Sequence, residues 1–178
     1  MKILETDRLI LRRLLPDDLE DLYALYSDPQ VIRYIPDAPR NLEETREELE
    51  WFLNGHPRHP QLGLWAAVYK PTGDFIGRCG LLPWTIDGRE EVEVAYLFAR
   101  DYWGQGLGTE VARALVAYGF EQLGFSRLIS LVESENLASI RVAEKAGMAF
   151  EKVGRDDKGP YWVFAVQKPS SQNVPLTG

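Results

Sequence analysis

This chain is poor in the residues that build disulfides and metal centres. Its 178 residues include one cysteine, Cys79, and two histidines, His56 and His59. A single cysteine excludes an internal disulfide, and a thiolate zinc site needs several Cys or His ligands at set spacings, which the chain lacks. We therefore expect no bound metal.

Basic residues and long apolar runs are also scarce. Lys and Arg number 20 against 27 Asp and Glu, which gives a formal charge of −7, whereas a surface that follows nucleic-acid phosphates carries the opposite sign. No stretch approaches the ~20 apolar residues of a membrane span. The chain becomes charged within its first five residues, unlike a signal peptide. We expect a soluble, cytoplasmic protein without a nucleic-acid or membrane partner.

What the chain does contain fits one globular domain. Hydrophobic residues make up 45% and charged residues 26%, which is ordinary for a protein with a substantial core. We predict a single domain over residues 1–168, followed by a disordered tail over residues 169–178. The composition does not choose between a monomer and a homodimer.

Hydrophobic periodicity and turn residues predict a mixed α/β fold with about seven strands and about four helices, in the order β α α β β β α β α β β. The predicted strands are 6–12, 64–69, 75–82, 92–98, 128–132, 149–153 and 161–166. The predicted helices are one from 17 to a stop at 28–29, and 42–53, 109–123 and 136–146.

A glycine-rich turn after the strand 92–98 is the most informative segment. Glycines at 104, 106 and 108 lead into a helix, and such a turn lets a ligand approach the unpaired amides of the helix N-terminus. It is not a Walker loop, because no lysine precedes Thr109. It is not a dinucleotide fingerprint either, since the spacing is Gly-x-Gly-x-Gly in the middle of the chain. It is a phosphate site of another kind or a tight connection without a ligand.

A second polar turn, residues 133–139, also joins a strand to a helix. Asn136 or Ser134 there is a candidate helix N-cap. The two turns follow neighbouring strand-to-helix units, so both should lie at the carboxyl ends of adjacent strands, where α/β folds usually bind ligands.

Three motifs in this order and spacing resemble the GNAT superfamily of acetyl-CoA-dependent N-acetyltransferases, and most closely its ribosomal-protein alanine and serine N-acetyltransferases. They are EVAYLF at 93–98, YWGQGLGTE at 102–110 and NLASIRVAEKAGM at 136–148. The opening ETDRLILR at 5–12 is similar to the first strand of that branch, so the likeness covers roughly residues 5–167. It implies a mostly antiparallel, twisted sheet that splays between strands 92–98 and 128–132.

The resemblance also implies acetyl-CoA as co-substrate and assigns residues to it. The strand backbone at Tyr96, Leu97 and Phe98 would face the pantetheine arm, and Asn136 would contact the cofactor near its thioester. The amides that would hold the pyrophosphate are those of Gly104, Gln105, Gly106, Leu107, Gly108 and Thr109, with the Thr109 hydroxyl as an extra donor. Two positions depart from the family: Trp103 replaces its usual Arg or Gln, and Ala143 replaces its common tyrosine acid.

The chemistry of acetyl transfer to an amine needs a base and a proton donor. Glu93 is the predicted base, because it lies in an otherwise apolar strand where burial would raise its pKa. The alternative is an exposed or ion-paired glutamate. Glu91, nearer a polar loop, is a second candidate base. With alanine at 143, Ser139 is the predicted proton donor to the leaving thiolate, or else only packs in the first turn of its helix.

The acceptor is an amine whose identity the motifs leave open. Aromatic residues that could line its pocket, or else belong to the core, are Tyr34, Trp51, Trp65 and Trp84. We predict direct attack in a ternary complex by an N-terminal α-amine of a peptide or protein, because its pKa of roughly 7.7–8.0 lies well below that of lysine, near 10.4. The alternatives are a small amine (polyamine, amino acid or antibiotic) as acceptor, or an acyl-CoA-binding module without catalysis.

Overall fold

The computed structural model describes residues 1–170, whose strands form one open eight-stranded sheet flanked by four α helices. The strands are β1 (Lys2–Glu5), β2 (Leu9–Arg13), β3 (Gly63–Tyr69), β4 (Phe75–Ile86), β5 (Arg89–Phe98), β6 (Arg127–Val132), β7 (Ala149–Asp156) and β8 (Gly159–Gln167). The helices are α1 (Leu19–Tyr26), α2 (Leu42–Phe52), α3 (Leu107–Glu121) and α4 (Leu137–Lys145).

The sheet confirms the predicted fold class. Its strand order is β1-β2-β3-β4-β5-β6-β8-β7, and every neighbouring pair is antiparallel except the parallel pair β5 and β6. One strand more than predicted is present, because the N-terminal residues form a hairpin. The predicted strand 6–12 is in fact a turn from Thr6 followed by β2, and β1 pairs with β2.

The hairpin of β4 and β5 is longer than predicted. The sequence pattern ended the first strand at 82 and placed a loop at 87–90, but β4 continues to Ile86 and β5 begins at Arg89. Only Asp87 and Gly88 form the turn, both with positive φ (51° and 74°), as in the two-residue hairpin turns that Asp-Gly favours. The long ribbon places Glu91 and Glu93 beside Trp84.

Alternation along β5 assigns its side chains to the two faces of the sheet. Val94 and Phe98 pack in a core with α3, whereas Leu97 packs with residues of α1 and α2. Since neighbouring side chains alternate, Glu91 and Glu93 lie on the α1 and α2 face, and Tyr96 lies on the α3 and α4 face.

The sheet splays in its middle, as predicted. β5 and β6 pair only at Glu93 and Ile129, and the Ser130 hydroxyl then caps the Val94 carbonyl at 3.2 Å. Beyond this point β5 keeps β4 as its neighbour on one side and has no strand partner on the other within residues 1–170. A wedge-shaped gap therefore opens along the second half of β5.

Two further sequence predictions concern the C-terminal tail and membrane-spanning segments. Most of the predicted tail, residues 171–178, lies outside them, and residues 169–170 have no regular secondary structure. Within residues 1–170, no helix is long and apolar enough to cross a membrane.

Candidate functional site

The glycine-rich turn leaves several amides free at the start of α3. The helix begins at Leu107, two residues earlier than predicted, with Gly106 at its N-cap and a φ of 79°. The first helical bond runs from the Glu110 N–H to the Gly106 carbonyl, so the amides of residues 107–109 have no intrahelical partner. Gly104, Gln105 and Gly106 are exposed. The turn thus presents amides and the positive end of a helix dipole to an anion.

An ion pair that the sequence did not reveal ties this turn to the N-terminal hairpin. The Arg8 side chain donates through Nε to Glu110 at 2.7 Å and through Nη1 to the Gln105 carbonyl at 2.8 Å. Thr6 and the Arg8 backbone also donate to Glu110, at 2.5 and 2.8 Å. Burial acts to raise the pKa of Glu110, but these donors outweigh it and lower that pKa. A guanidinium is therefore fixed at the turn, where Trp103 replaces the family's usual Arg or Gln.

Trp103 itself contacts β5 at the wide end of the gap. Its indole N–H donates to the Phe98 carbonyl at 2.8 Å, so this backbone oxygen at the wide end of the gap already has a partner. The substitution that departs from the family pattern thus holds the turn against the end of the strand.

The backbone of β5 alternates between the gap and β4. The Val94 carbonyl points toward β6, and residues two apart in a strand direct their N–H and C=O to the same side. Tyr96 and Phe98 therefore face the gap, whereas the backbone of Leu97 is directed at β4, opposite Arg78. Of the three residues predicted to face a pantetheine arm, Leu97 does not offer its backbone groups to the gap, since β4 occupies that side.

Asn136 and Ser139 meet at the start of α4. The Asn136 carboxamide oxygen accepts from the Ser139 N–H at 3.1 Å, so Asn136 is the N-cap of this helix. The Tyr96 hydroxyl lies 3.5 Å from the Ser139 carbonyl, and burial raises the pKa of Tyr96 to about 12. The Ser139 side chain interacts with Tyr96 and acts to lower that pKa, and Ala143 is buried in the core. The start of α4, with Tyr96, forms the other wall of the gap.

Glu93 lies where the two strands part. Its carboxylate accepts from the Trp84 indole N–H at 2.6 Å and interacts with the Leu131 backbone amide. Burial raises its pKa to about 7, although Trp84, Leu131 and Arg78 act to lower it. The side chain is half-buried and therefore keeps access to the surface. A carboxyl group near half ionisation at neutral pH has the properties of a general base.

Glu91, the second candidate base, is held in an ion pair. Both of its carboxylate oxygens lie within 3.2 Å of the Arg127 Nε. Arg127 also binds Glu151 through two bonds of 2.7 and 2.8 Å. Glu91 is buried, and because Arg127 balances its charge, the geometry favours a structural role for Glu91 and leaves Glu93 as the better candidate base.

The aromatic candidates for an acceptor pocket separate into core and surface. Trp65 is buried in the core, edge-on to Tyr118, and is not part of a pocket. The Tyr34 hydroxyl donates to the Glu135 carbonyl, so Tyr34 bridges to the loop before α4. Trp51 and Trp84 are exposed and line a cavity of about 430 Å³ that we call the aromatic cavity. Its other lining residues are Phe52, His56, Arg58, Leu82, Pro83 and Thr85.

A family model and several curated proteins match the sequence of this chain. The model of the acetyltransferase (GNAT) domain matches residues 8–149. The uncharacterized protein YkkB of Bacillus subtilis is 38% identical over 90% of this chain and 93% of its own length. The uncharacterized N-acetyltransferase p20 of Bacillus licheniformis is 31% identical over 86% of this chain and 85% of its own.

Solved structures show the same fold. A GNAT-family acetyltransferase from Bacillus anthracis has a TM-score of 0.81 at 24% identity, covering 94% of this chain and 98% of its own. RimL, a ribosomal L7/L12 alpha-N-protein acetyltransferase solved with coenzyme A, has a TM-score of 0.77 at 15% identity, and the match covers 94% of this chain and 98% of RimL. AAC(6')-Ib, solved with paromomycin and acetyl-CoA, has 0.72 at 20%, covering 97% and 100%. The chain belongs to the GNAT family and is an acetyltransferase.

Proposed function

We propose that this protein transfers the acetyl group of acetyl-CoA to a primary amine, the N-terminal α-amine of a peptide or protein, by direct attack in a ternary complex. The observation that carries the proposal is the position of Glu93. A half-buried carboxyl group with a pKa of about 7 lies at the closed end of the gap, and a turn of free amides lies toward its open end.

The residues present fit acetyl-CoA at the cofactor side of the gap. The amides of residues 104–109 would hold the pyrophosphate, with the Thr109 hydroxyl as an added donor, and Arg8 supplies a positive charge at the same turn. The backbone of Tyr96 and the N–H of Phe98 would pair with the pantetheine arm, as an added strand would. Asn136 would contact the same arm near the thioester. When bound, the thioester supplies an electrophilic carbonyl carbon and a thiolate leaving group.

The chain's own side chains would handle the protons. Glu93 would take one proton from the amine as its nitrogen bonds to the acetyl carbon and the carbon–sulfur bond breaks. The sulfur then takes a proton, which the Ser139 hydroxyl beside Tyr96 would relay from water, while Glu93 returns its own proton to solvent. A backbone N–H of β5 facing the gap would stabilise the charge that develops on the carbonyl oxygen.

The pKa of Glu93 favours an α-amine over a lysine amine as acceptor. An α-ammonium has a pKa of roughly 7.7–8.0, close to that of this base, whereas a lysine ammonium lies near 10.4. About a tenth of α-amines are already neutral at pH 7, against well under a thousandth of lysine amines. RimL acts on a protein α-amine, and this chain has the same fold.

Acetyl-CoA titration and a thiol-release assay test the proposal together. We expect saturable binding of acetyl-CoA in calorimetry, and CoA release with peptides that begin with Ser, Ala or Met. No binding up to millimolar acetyl-CoA would contradict the proposal at its root. Binding without thiol release across peptides, polyamines and aminoglycosides would instead favour a non-catalytic acyl-CoA module. Faster release with an aminoglycoside, the compound class bound by AAC(6')-Ib, would make the acceptor a small amine.

A further inference from the structure

Arg78 is a buried cation on the same face of the sheet as Glu93. It is 7% exposed, and burying a guanidinium is costly unless its charge and its donors are satisfied. One edge is satisfied: the Arg78 Nε donates to the Tyr26 hydroxyl, which donates in turn to Glu48. The Glu48 carboxylate lies 3.9 Å from that Nε. Helices α1 and α2 thus hold one edge of the guanidinium.

The other edge of Arg78 has no partner among residues 1–170. A guanidinium carries five N–H donors, and the two Nη nitrogens of Arg78 donate to no residue among 1–170. These two nitrogens are not fully buried. Among residues 1–170, the side-chain nitrogen that is both fully buried and without a hydrogen bond is the Nη1 of Arg13. Buried polar groups almost always have partners. The free edge of Arg78 therefore keeps contact with solvent and has donors available to a ligand.

Arg78 and Glu93 lie near each other in the β4 and β5 ribbon. Arg78 is opposite Leu97 and Glu93 is opposite Leu82 in the β4 and β5 ribbon, so their Cα positions are roughly 13 Å apart along the strands. Between them on this face lie only the paired residues Gly80 and Ala95. Both charged side chains reach over a floor of small residues, and the charge of Arg78 acts on Glu93. On the far side of Glu93, Trp84 leads into the aromatic cavity.

We propose that the free edge of Arg78 binds a carboxylate of the acceptor, so that the acceptor is an amine with a carboxylate close to it. The fork of a guanidinium matches the two oxygens of a carboxylate, and such charge-assisted pairs are the strong ones. The amine then faces Glu93, and the apolar part of the acceptor extends toward Trp84 and Trp51. This inference rests on the acetyl transfer to an α-amine proposed above and narrows the class of the acceptor.

Two kinds of acceptor carry a carboxylate close to an α-amine: a free α-amino acid, and a peptide with an acidic second residue. Both differ from a polyamine or aminoglycoside, which brings several positive charges and no carboxylate. A second cation near Arg78 would be repelled, and the lining of the aromatic cavity contains Arg58 and no Asp or Glu.

Matched acceptors test the inference on the unmodified protein. One set is L-phenylalanine, phenylalanine amide and phenethylamine, and the other is the amidated tetrapeptides Ser-Glu-Ala-Ala and Ser-Gln-Ala-Ala. At saturating acetyl-CoA we expect kcat/KM at least about tenfold higher for the carboxylate-bearing member of one set, through KM. The set that shows it identifies the source. Equal kcat/KM within both sets would overturn this inference alone. No acetylation of any of the five compounds, with acetyl-CoA bound, would overturn the proposed function as well.

The variant Arg78→Gln tests which residue reads the carboxylate. It should abolish the difference in kcat/KM between the preferred acceptor and its neutral analogue, and leave the affinity for acetyl-CoA unchanged. Arg127→Gln is the control, because Arg127 is another partly buried arginine of the sheet but binds Glu91 and Glu151. A preference that survives Arg78→Gln would overturn the assignment. If that variant does not fold, the acceptor series still decides for or against a carboxylate site.

Discussion

The two ends of the gap between β5 and β6 are built in different ways. At the α3 end, the groups available to a ligand are mostly backbone amides from one continuous segment, residues 104–109. At the Glu93 end, they are side chains brought together from distant elements: Trp84 lies 9 residues from Glu93, and Tyr26 lies 52 residues from Arg78. A backbone site depends on local geometry, whereas a side-chain site depends on tertiary packing.

The same contrast appears within a single strand. Glu91 and Glu93 are two residues apart on one face of β5, yet Arg127 neutralises one and burial raises the pKa of the other to about 7. The difference comes from what each meets across the sheet, not from residue type. Four predictions, from the largest expected effect to the smallest, test this contrast.

Gly106→Val should break the backbone site. Gly106 has a φ of 79°, which disfavours a β-branched residue, and a side chain there would point toward Arg8, whose Nη2 lies 3.6 Å from the added Cβ position. We expect the Kd for acetyl-CoA to rise on the order of 100-fold in calorimetry. Gly73→Val is the matched control, since Gly73 has a φ of 80° in a turn with open space around it. Equal loss of affinity in both variants would show general strain rather than a blocked site.

Glu91→Gln and Glu93→Gln should change stability in opposite directions. Glu91→Gln breaks the buried pair with Arg127 and should lower the free energy of unfolding by about 2 kcal/mol at pH 7. Because burial raises the pKa of Glu93 from 4.5 to about 7, the folded state binds that proton more tightly, and stability falls as pH rises through this window. Glu93→Gln should therefore be more stable than the parent at pH 8 and not at pH 4.5. Urea unfolding at both pH values measures this, and destabilisation by both variants at pH 8 would contradict it.

Arg8→Gln should weaken the cofactor end by removing its anchor to the N-terminal hairpin. The variant loses the bonds to Glu110 and to the Gln105 carbonyl, and we expect the Kd for acetyl-CoA to rise about tenfold. Arg113→Gln serves as control, since Arg113 lies on α3 as Glu110 does but binds the Lys145 carbonyl. A double variant with Glu110→Gln should add little to Arg8→Gln. Full additivity would mean that Arg8 and Glu110 act separately.

Trp84→Phe should give the smallest effect, a shift in the pH profile. The indole N–H stabilises the ionised form of Glu93, so its removal raises the pKa of Glu93 further. The ascending limb of the rate should move up by about half a unit. Trp51 lines the same cavity without touching Glu93, so Trp51→Phe should leave the ascending limb of the pH profile in place. A downward shift in Trp84→Phe would show that the hydrogen bond does not act on the base.

The sequence predicts most of the fold because its signals are local. Strand and helix order follow from periodicity, and Gly147 ends α4 with a φ of 89°, as a glycine cap does. The longer β4 and β5 ribbon was missed because its end is polar: Thr85 and Glu90 face solvent and bond to each other at 2.7 Å. Such a pair looks like a loop in the sequence, although it continues the ladder of the sheet.

The candidate site shows the same difference between local signals and contacts that depend on the tertiary fold. The glycine turn and Glu93 could be predicted because the one is a contiguous motif and the other a charge in an apolar strand. Arg8 with Glu110, and Arg78 with Tyr26 and Glu48, could not, because each set spans separate elements. The sequence leaves Trp65 open between pocket and core, because a tryptophan in a strand gives no sign of which face is covered, and the structure places it in the core.

The pH dependence of kcat in the parent protein and in Glu93→Gln, with acetyl-CoA and a peptide acceptor saturating, tests the central claim most directly. The account predicts an ascending limb near pH 7 in the parent. In Glu93→Gln we expect that limb to be lost and kcat to fall about 100-fold, with the Kd for acetyl-CoA unchanged. A variant that keeps the parent rate and the parent limb would contradict the account and make Glu93 a structural residue.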